Sequence, residues 1–315
     1  MSLAKYFQFF GTLAAVLSPA LVTFASLPPQ LTTQLESQRE VSLKFPDTSD
    51  RQAPSSTGGG GSRGIDQIAS CIVADETAEA GEMPWQNSLQ ALMPKTDLSK
   101  TIAENPSVFV YVPKTTAKSA IFLVRDKNGE EIYRSEFVPP ETPGIVQLTI
   151  PKTVSLEVEQ EYNWELVLMC NPKSYFSPEN EYVEGLFLRT QLNSEQQKQL
   201  DCVRQAPDLQ NLLEFPERQS LFSCVRQAPE LQNLLNSVRQ TPEQRELLDR
   251  LKESPEQAKL YVEALVYANA KIWHETIDNI AQLSDAHPQE WQELLASVGL
   301  EDLAQEKLLN CCTAD

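Results

Sequence analysis

From residue 108 to residue 189, apolar and polar positions alternate in six short runs, at 108–112, 120–124, 131–138, 145–150, 162–169 and 182–189. Each run is rich in β-branched and aromatic residues and is bounded by Pro, Gly, Asn or Lys, which predicts strands. The run from Tyr162 is the clearest. Tyr162, Trp164, Leu166 and Leu168 share one face, while Asn163 and Glu165 point to the other. Asn128-Gly129 can adopt positive φ and so close a hairpin between the second and third runs. No helical period interrupts the series, which favours antiparallel pairing over βαβ units.

These runs predict an antiparallel β-sandwich over residues 65–190. Leu156 stands six residues before Tyr162, spacing that resembles the tyrosine corner of fibronectin type III domains. There a tyrosine hydroxyl ties a strand to a nearby loop. The predicted fold class is therefore α+β, an immunoglobulin/fibronectin-III-like sandwich followed by a helical C-terminal region.

From Ser194 the period changes to that of helices, and two repeats appear. Pro-Glu recurs every 13 residues at Pro216, Pro229, Pro242 and Pro255, and residues 202–213 reappear at 224–235 with Glu230 replacing Asp208. Ser254 and Thr241 can cap helices whose first residue is proline, and the following glutamate favours the positive end. A proline at each repeat breaks residues 191–255 into short helices. Such a stack can offer a partner surface, or its leucines can simply pack together. In residues 256–315, Val262, Leu265, Val266, Ile272, Trp273, Ile277, Ile280 and Leu283 form one apolar stripe, the mark of a long helix. His287-Pro288 starts a second helix burying Trp291, Leu294, Leu295 and Val298. Gly299-Leu300 ends it, and a last helix runs from Glu301-Asp302 to Cys311-Cys312.

The N-terminus has a different texture. Lys5, an apolar stretch from residue 7 to 24, and the small residues Thr23 and Ala25 predict a signal peptide over residues 1–25, cleaved before Ser26. Residues 26–64, rich in Pro, Ser, Thr and Gly, read as a disordered linker. The run Gly58 to Gly61 is not followed by the Lys-Ser/Thr of a phosphate loop. After cleavage no transmembrane segment is expected. Acidic residues exceed basic ones by 18, which argues against nucleic acid and anionic lipid as partners.

The chain has six cysteines and two histidines, with no Cys-x-x-Cys pair, so neither a metal nor a cofactor is expected. In an oxidising compartment, Cys71, Cys170, Cys202, Cys224, Cys311 and Cys312 are disulfide candidates. Fifteen pairings are possible. The expectation is a tail pinned by Cys311 and Cys312 to Cys71 and Cys170, with Cys202 and Cys224 as a local staple. His274 has no histidine four residues on and reads as a helix-surface residue, and His287 as a helix-start residue. No catalytic residue is assigned. Glu165 and Glu184 are the first carboxylates to consider for glycoside chemistry, and Trp85, Tyr111, Trp164 and Tyr182 the first aromatics for a sugar groove. A solvated sheet face and a core explain them better.

Several motifs stand in one order along the chain: Phe45-Pro46, the glycine run to Gly64, Cys71, Asn105-Pro106 with residues 107–113, Pro143-Gly144 and Tyr162-Asn163-Trp164. Cys170-Asn171-Pro172, residues 182–185, residues 272–276, residues 297–300 and Cys311-Cys312 complete the set. Together they resemble a cyanobacterial family of exported proteins known as domain of unknown function 928. Two departures stand out. Residues 202–253 exceed the family's short link, and Glu159-Gln160 stands where the pattern has a glycine. The resemblance implies export and architecture, and no activity.

The function expected from these readings is a non-catalytic interaction protein of the periplasm or cell surface, with an envelope protein as partner. The alternative is a carbohydrate-binding module or an envelope polysaccharide enzyme.

Overall fold

Alternation at period two becomes two β-sheets. The computed structural model describes residues 43–46, 71–73, 87–94, 98–206, 223–238 and 242–312, all within one compact unit, Val41–Asp315. The strands are β1 (Gln90–Ala91), β2 (Ser99–Thr101), β3 (Ser107–Val112), β4 (Ala120–Arg125), β5 (Glu131–Phe137), β6 (Gly144–Thr149), β7 (Gln160–Leu168), β8 (Glu181–Arg189) and β9 (Leu308–Leu309). One sheet has the order β1-β3-β6-β9 and the other β2-β8-β7-β4-β5. The predicted signal peptide, Trp85 and Pro216 lie outside the described residues.

All six expected strands form, with ends shifted by one or two residues. The hairpin at Asn128-Gly129 closes as expected, with Gly129 at φ 82° and β4 antiparallel to β5. The tyrosine hydroxyl also finds a partner, since the Glu157 N–H donates to Tyr162 Oη at 2.6 Å.

Pairing is not antiparallel throughout. β2 joins β8 in parallel, as β9 joins β6. Parallel neighbours require a long crossover, and here whole strands or helices separate each pair. Neither edge strand is long enough to show a period in the sequence.

Seven helices follow among the described residues: α1 (Ser194–Gln205), α2 (Ser223–Gln227), α3 (Pro229–Ser237), α4 (Pro242–Leu251), α5 (Pro255–Asn269), α6 (Trp273–Ala281) and α7 (Pro288–Ser297). Pro229, Pro242 and Pro255 each occupy the first position of a helix, where the missing N–H is harmless. The Ser254 hydroxyl caps α5 by accepting from the Gln257 N–H. Asn193 and Gln196 form a reciprocal capping box at α1. The repeat leucines Leu231, Leu235, Leu247, Leu248 and Leu251 are buried in the core shared with both sheets.

Two helical expectations are corrected. The long apolar stripe belongs to two helices, because Lys271 takes φ 60° and the Ile272 N–H bonds back to Tyr267 O. This terminating turn usually falls to glycine, so no glycine or proline marks the break. The last helix is only a 3-10 turn, Glu301–Leu303. Leu308 and Leu309 then extend along β6, where an open sheet edge offers backbone partners. The cap at Gly299 is as expected: φ is 74°, and the Leu300 N–H donates to Leu295 O.

The disulfides are Cys71–Cys170, Cys202–Cys224 and the adjacent pair Cys311–Cys312. The local staple is thus present. The expected tie from the tail to Cys71 and Cys170 is not, since β9 already holds the tail to β6. Cys202 and Cys224 are the first residues of the two repeat copies. Within the segment read as linker, Leu43 and Phe45 are buried. The Phe45 ring meets the Trp273 ring edge-on at 5.0 Å.

Candidate functional site

Three consecutive residues at the start of α6 lock the helix to the sheets. The Trp273 indole N–H donates to Leu92 O at 2.9 Å, just after β1. His274 reaches both sheets: Nδ1 lies 2.8 Å from Ser107 O on β3, and Nε2 lies 2.8 Å from Ser99 Oγ on β2. A carbonyl can only accept, so Nδ1 carries the proton. Nε2 is then an acceptor, and it and Leu186 O, 2.9 Å away, share the one hydrogen that the Ser99 hydroxyl can donate. Burial keeps the imidazole neutral and lowers its pKa to about 4.

Glu275 closes the end of β2. Its Oε1 accepts from Thr101 Oγ1 (2.7 Å), the Ile102 N–H (3.0 Å) and the Ala103 N–H (2.8 Å). Its Oε2 has no hydrogen-bond partner among the described residues. Burial raises the carboxyl's pKa against the pull of those donors. One turn on, Asp278 accepts from Gln147 Nε2 on β6 at 2.7 Å.

The arrangement resembles a Ser-His-Glu set in composition only. Ser99 is 3 % exposed and His274 also 3 %, so no substrate reaches the hydroxyl. Glu275 bonds to β2 and the chain after it, away from the imidazole's proton. The reading of His274 as a helix-surface residue is therefore corrected. Its partners lie 175 and 167 residues away in sequence, which local spacing cannot reveal. His287 does start α7 and is likewise buried, with Nε2 donating to Gln257 Oε1 at 3.1 Å.

The other candidates separate in space. Tyr111 and Trp164 belong to the core. Glu165 and Glu184 are cross-strand partners on the outer face of the five-stranded sheet. Glu165 is held by Arg125 at 2.8 Å and by the Tyr175 hydroxyl at 2.9 Å. Arg134 lies over the Tyr175 ring, 5.4 Å from its centre, and Tyr175 covers the small apolar patch of Ile121, Leu123, Val167 and Met169.

A second feature escaped the sequence reading. Ala120 at the start of β4 is level with Phe137 and Leu168, and Val112 with Gly144. Loops 113–119, 138–143 and 169–180 therefore gather at one end of the two sheets. Residues 71–73 join them through Cys71–Cys170 and the Val73 N–H to Lys114 O bond. Five large apolar side chains are exposed among the described residues, and four belong to this end: Phe176 (90 %), Val138 (73 %), Tyr182 (39 %) and Val73 (38 %).

The loop that presents Phe176 is firmly pinned. Asn180 Nδ2 donates to Ser174 O and Tyr175 O, both at 2.9 Å, and its Oδ1 accepts from the Asn171 N–H at 3.0 Å. The disulfide at Cys170 holds its base. The Phe176 ring, edge-on to Tyr175 at 5.1 Å, is thus held out to water on a braced loop.

The fold and these two features define a two-sheet α+β protein, locked to its helical half through α6 and stapled by disulfides. Residues 58–233 and 220–308 match the family described as Domain of Unknown Function (DUF928). The chain belongs to this family. The two matches overlap at 220–233, a stretch that takes in most of the second repeat copy, 224–235. No curated protein matches the chain. No helix among the described residues is long and apolar enough to cross a membrane.

Proposed function

We propose that this is an exported, non-catalytic interaction protein of the cell envelope, periplasmic or surface-located, of the cyanobacterial type its family resemblance suggests. Its sandwich would be of the immunoglobulin/fibronectin-III kind. The observation that carries the reading is the loop end, where Phe176, Val138, Tyr182 and Val73 are presented together. The disulfides support an oxidising compartment. His274 and Glu275 are engaged in holding α6 to the sheets, which supports a structural use of the groups best suited to chemistry. The repeats serve the core through their leucines, so a partner there would meet mainly polar residues such as Arg226, Glu230 and Asn233.

A glycan-binding reading keeps one observation in its favour, the Arg125–Glu165–Tyr175 cluster on the face that also carries Tyr182. Affinity capture of the tagged mature protein from the native envelope fraction, after mild crosslinking, separates the two. A dominant protein partner lost with Phe176→Ser supports interaction. Retention on cell-wall polysaccharide, unchanged by Phe176→Ser, overturns it.

A further inference from the structure

Two of the three disulfides close long loops, and each has a cysteine in the core. Cys71–Cys170 spans 99 residues and Cys202–Cys224 spans 22, with Cys71 and Cys202 buried. Cys311–Cys312 shares neither property. It joins neighbours in sequence, and both residues are only partly buried against the core. It also holds nothing that is not held already. β9 ends at Leu309, before the pair begins, and is fixed by its pairing with β6 and by the Ile145 N–H donating to Lys307 O at 2.7 Å. Cys312 takes φ 69°, a left-handed conformation unfavourable for an L residue, and opening the small ring lets it relax. A disulfide that closes no loop and is not shut inside the core lacks both protections that keep structural disulfides oxidised.

We propose that Cys311–Cys312 is a redox-exchange site, opened and closed by a protein dithiol of the Cys-x-x-Cys class while the rest of the fold stays intact. A thiolate of that partner attacks one of the two sulfurs, the Sγ–Sγ bond breaks, and the displaced sulfur takes up a proton. The partner's second thiolate then displaces the cysteine held in the mixed disulfide, which is protonated in turn. The pair thus gains two electrons and two protons, and the partner leaves as its own disulfide. The reverse sequence, with an oxidised partner, restores the ring. Adjacent thiols just past β9 stay close to each other when reduced, so reclosure needs no refolding. This site stands on different residues from the loop end and is independent of the interaction reading.

The test equilibrates the oxidised, purified mature chain with graded mixtures of reduced and oxidised dithiothreitol, traps free thiols by alkylation and maps them by mass spectrometry. Cys311 and Cys312 are expected to open together, at a reduced-to-oxidised ratio at least about tenfold below that for Cys71–Cys170, with the circular dichroism spectrum unchanged. A thioredoxin variant without its second active-site cysteine halts the exchange at the mixed disulfide. That adduct is expected on Cys311 or Cys312 and is absent from the Cys311→Ser/Cys312→Ser double variant, whose thermal midpoint matches wild type. Opening of the pair only together with Cys71–Cys170, or only with loss of the fold, overturns the proposal. So does the lack of any adduct, an adduct that forms equally with the double variant, or a map that joins Cys311 or Cys312 to another cysteine.

Discussion

Gly185 on β8 lies directly across from Trp164 on β7, and the indole occupies the space where a side chain at Gly185 would stand. A Cβ there would come within 2.5 Å of Met93 Sδ and 2.6 Å of Trp164 Nε1. The fully buried Trp164 fixes the spacing of the two sheets, so neither neighbour has room to withdraw. Gly185→Ala is expected to lower stability by about 1–3 kcal/mol, the usual range for overpacking. Urea denaturation measures this, and a change within error would mean the core yields.

Glu159 shows the opposite relation between residue and backbone. It takes φ 57° without being glycine, and it is held there by its N–H to Arg189 O and by Thr190 Oγ1 donating to its carboxylate at 2.7 Å. An L residue in the left-handed region carries a cost of roughly 1–2 kcal/mol. Glu159→Gly removes that cost along with one exposed hydrogen bond. A gain of up to about 1 kcal/mol is expected, read as a higher denaturation midpoint with an unchanged slope. A loss would show that the Thr190 bond outweighs the strain.

The pH dependence has two opposed parts. His274 falls from 6.5 to about 4 on folding, so its contribution is present above pH 6.5 and is lost as pH falls through 4. At about 1.4 kcal/mol per unit, the loss approaches roughly 3 kcal/mol in that window. Glu275 and Asp278 are raised. Their contribution is greatest below the ordinary carboxylate range and disappears as pH rises through their folded values. Comparing wild type with His274→Asn isolates the imidazole. The variant is less stable at pH 7, and the gap narrows toward pH 4. Parallel profiles would contradict the assignment of a neutral, buried His274.

Much of the β half was legible because each strand is long enough to alternate and its turns carry Gly, Asn or Pro. Tyr162 even identified its own hydroxyl tie. What the sequence concealed is non-local. β1, β2 and β9 have two or three residues each and exist only because a longer strand lies beside them. His274 looked like a surface residue because Ser99 and Ser107 are remote in sequence, although residues 272–276 had stood out as a family motif. Lys271 ends α5 without the glycine that normally announces such a turn. The loop end was missed because it is assembled from four separate segments whose apolar residues are unremarkable singly.

The three disulfides should differ in worth according to the chain they enclose. Cys71–Cys170 spans 99 residues and Cys202–Cys224 spans 22, which the chain-entropy account places at about 5 and about 3 kcal/mol. Cys311–Cys312 joins neighbours and closes no loop worth counting. Paired alanine replacements should therefore lower the thermal midpoint in that order. A larger loss at the adjacent pair than at Cys71–Cys170 would reverse the ranking.

Removal of one repeat copy is expected to be tolerated. Deleting residues 203–224 joins Cys202 to Val225 and leaves a single copy of the sequence. The Cα atoms of Cys202 and Cys224 are already 5.3 Å apart, not far from the ~3.8 Å between consecutive residues. The shortened chain should unfold cooperatively and titrate one free thiol. An aggregated product, or one with no thiol, would show that the second copy is indispensable.

The pairing of β9 with β6 has a consequence for the order in which the molecule is assembled. Ile145 and Val146 are made early but find their partners, Leu308 and Leu309, only after every helix has been produced. A side chain at Gly144 would collide with Leu309 and with Lys307 O, so the incoming strand fits closely against the backbone of β6. Until it arrives, the incomplete chain presents an open row of amide groups on β6, a template for pairing with other chains. Slow, distant closure of this kind makes the nascent protein a natural client for holdase chaperones.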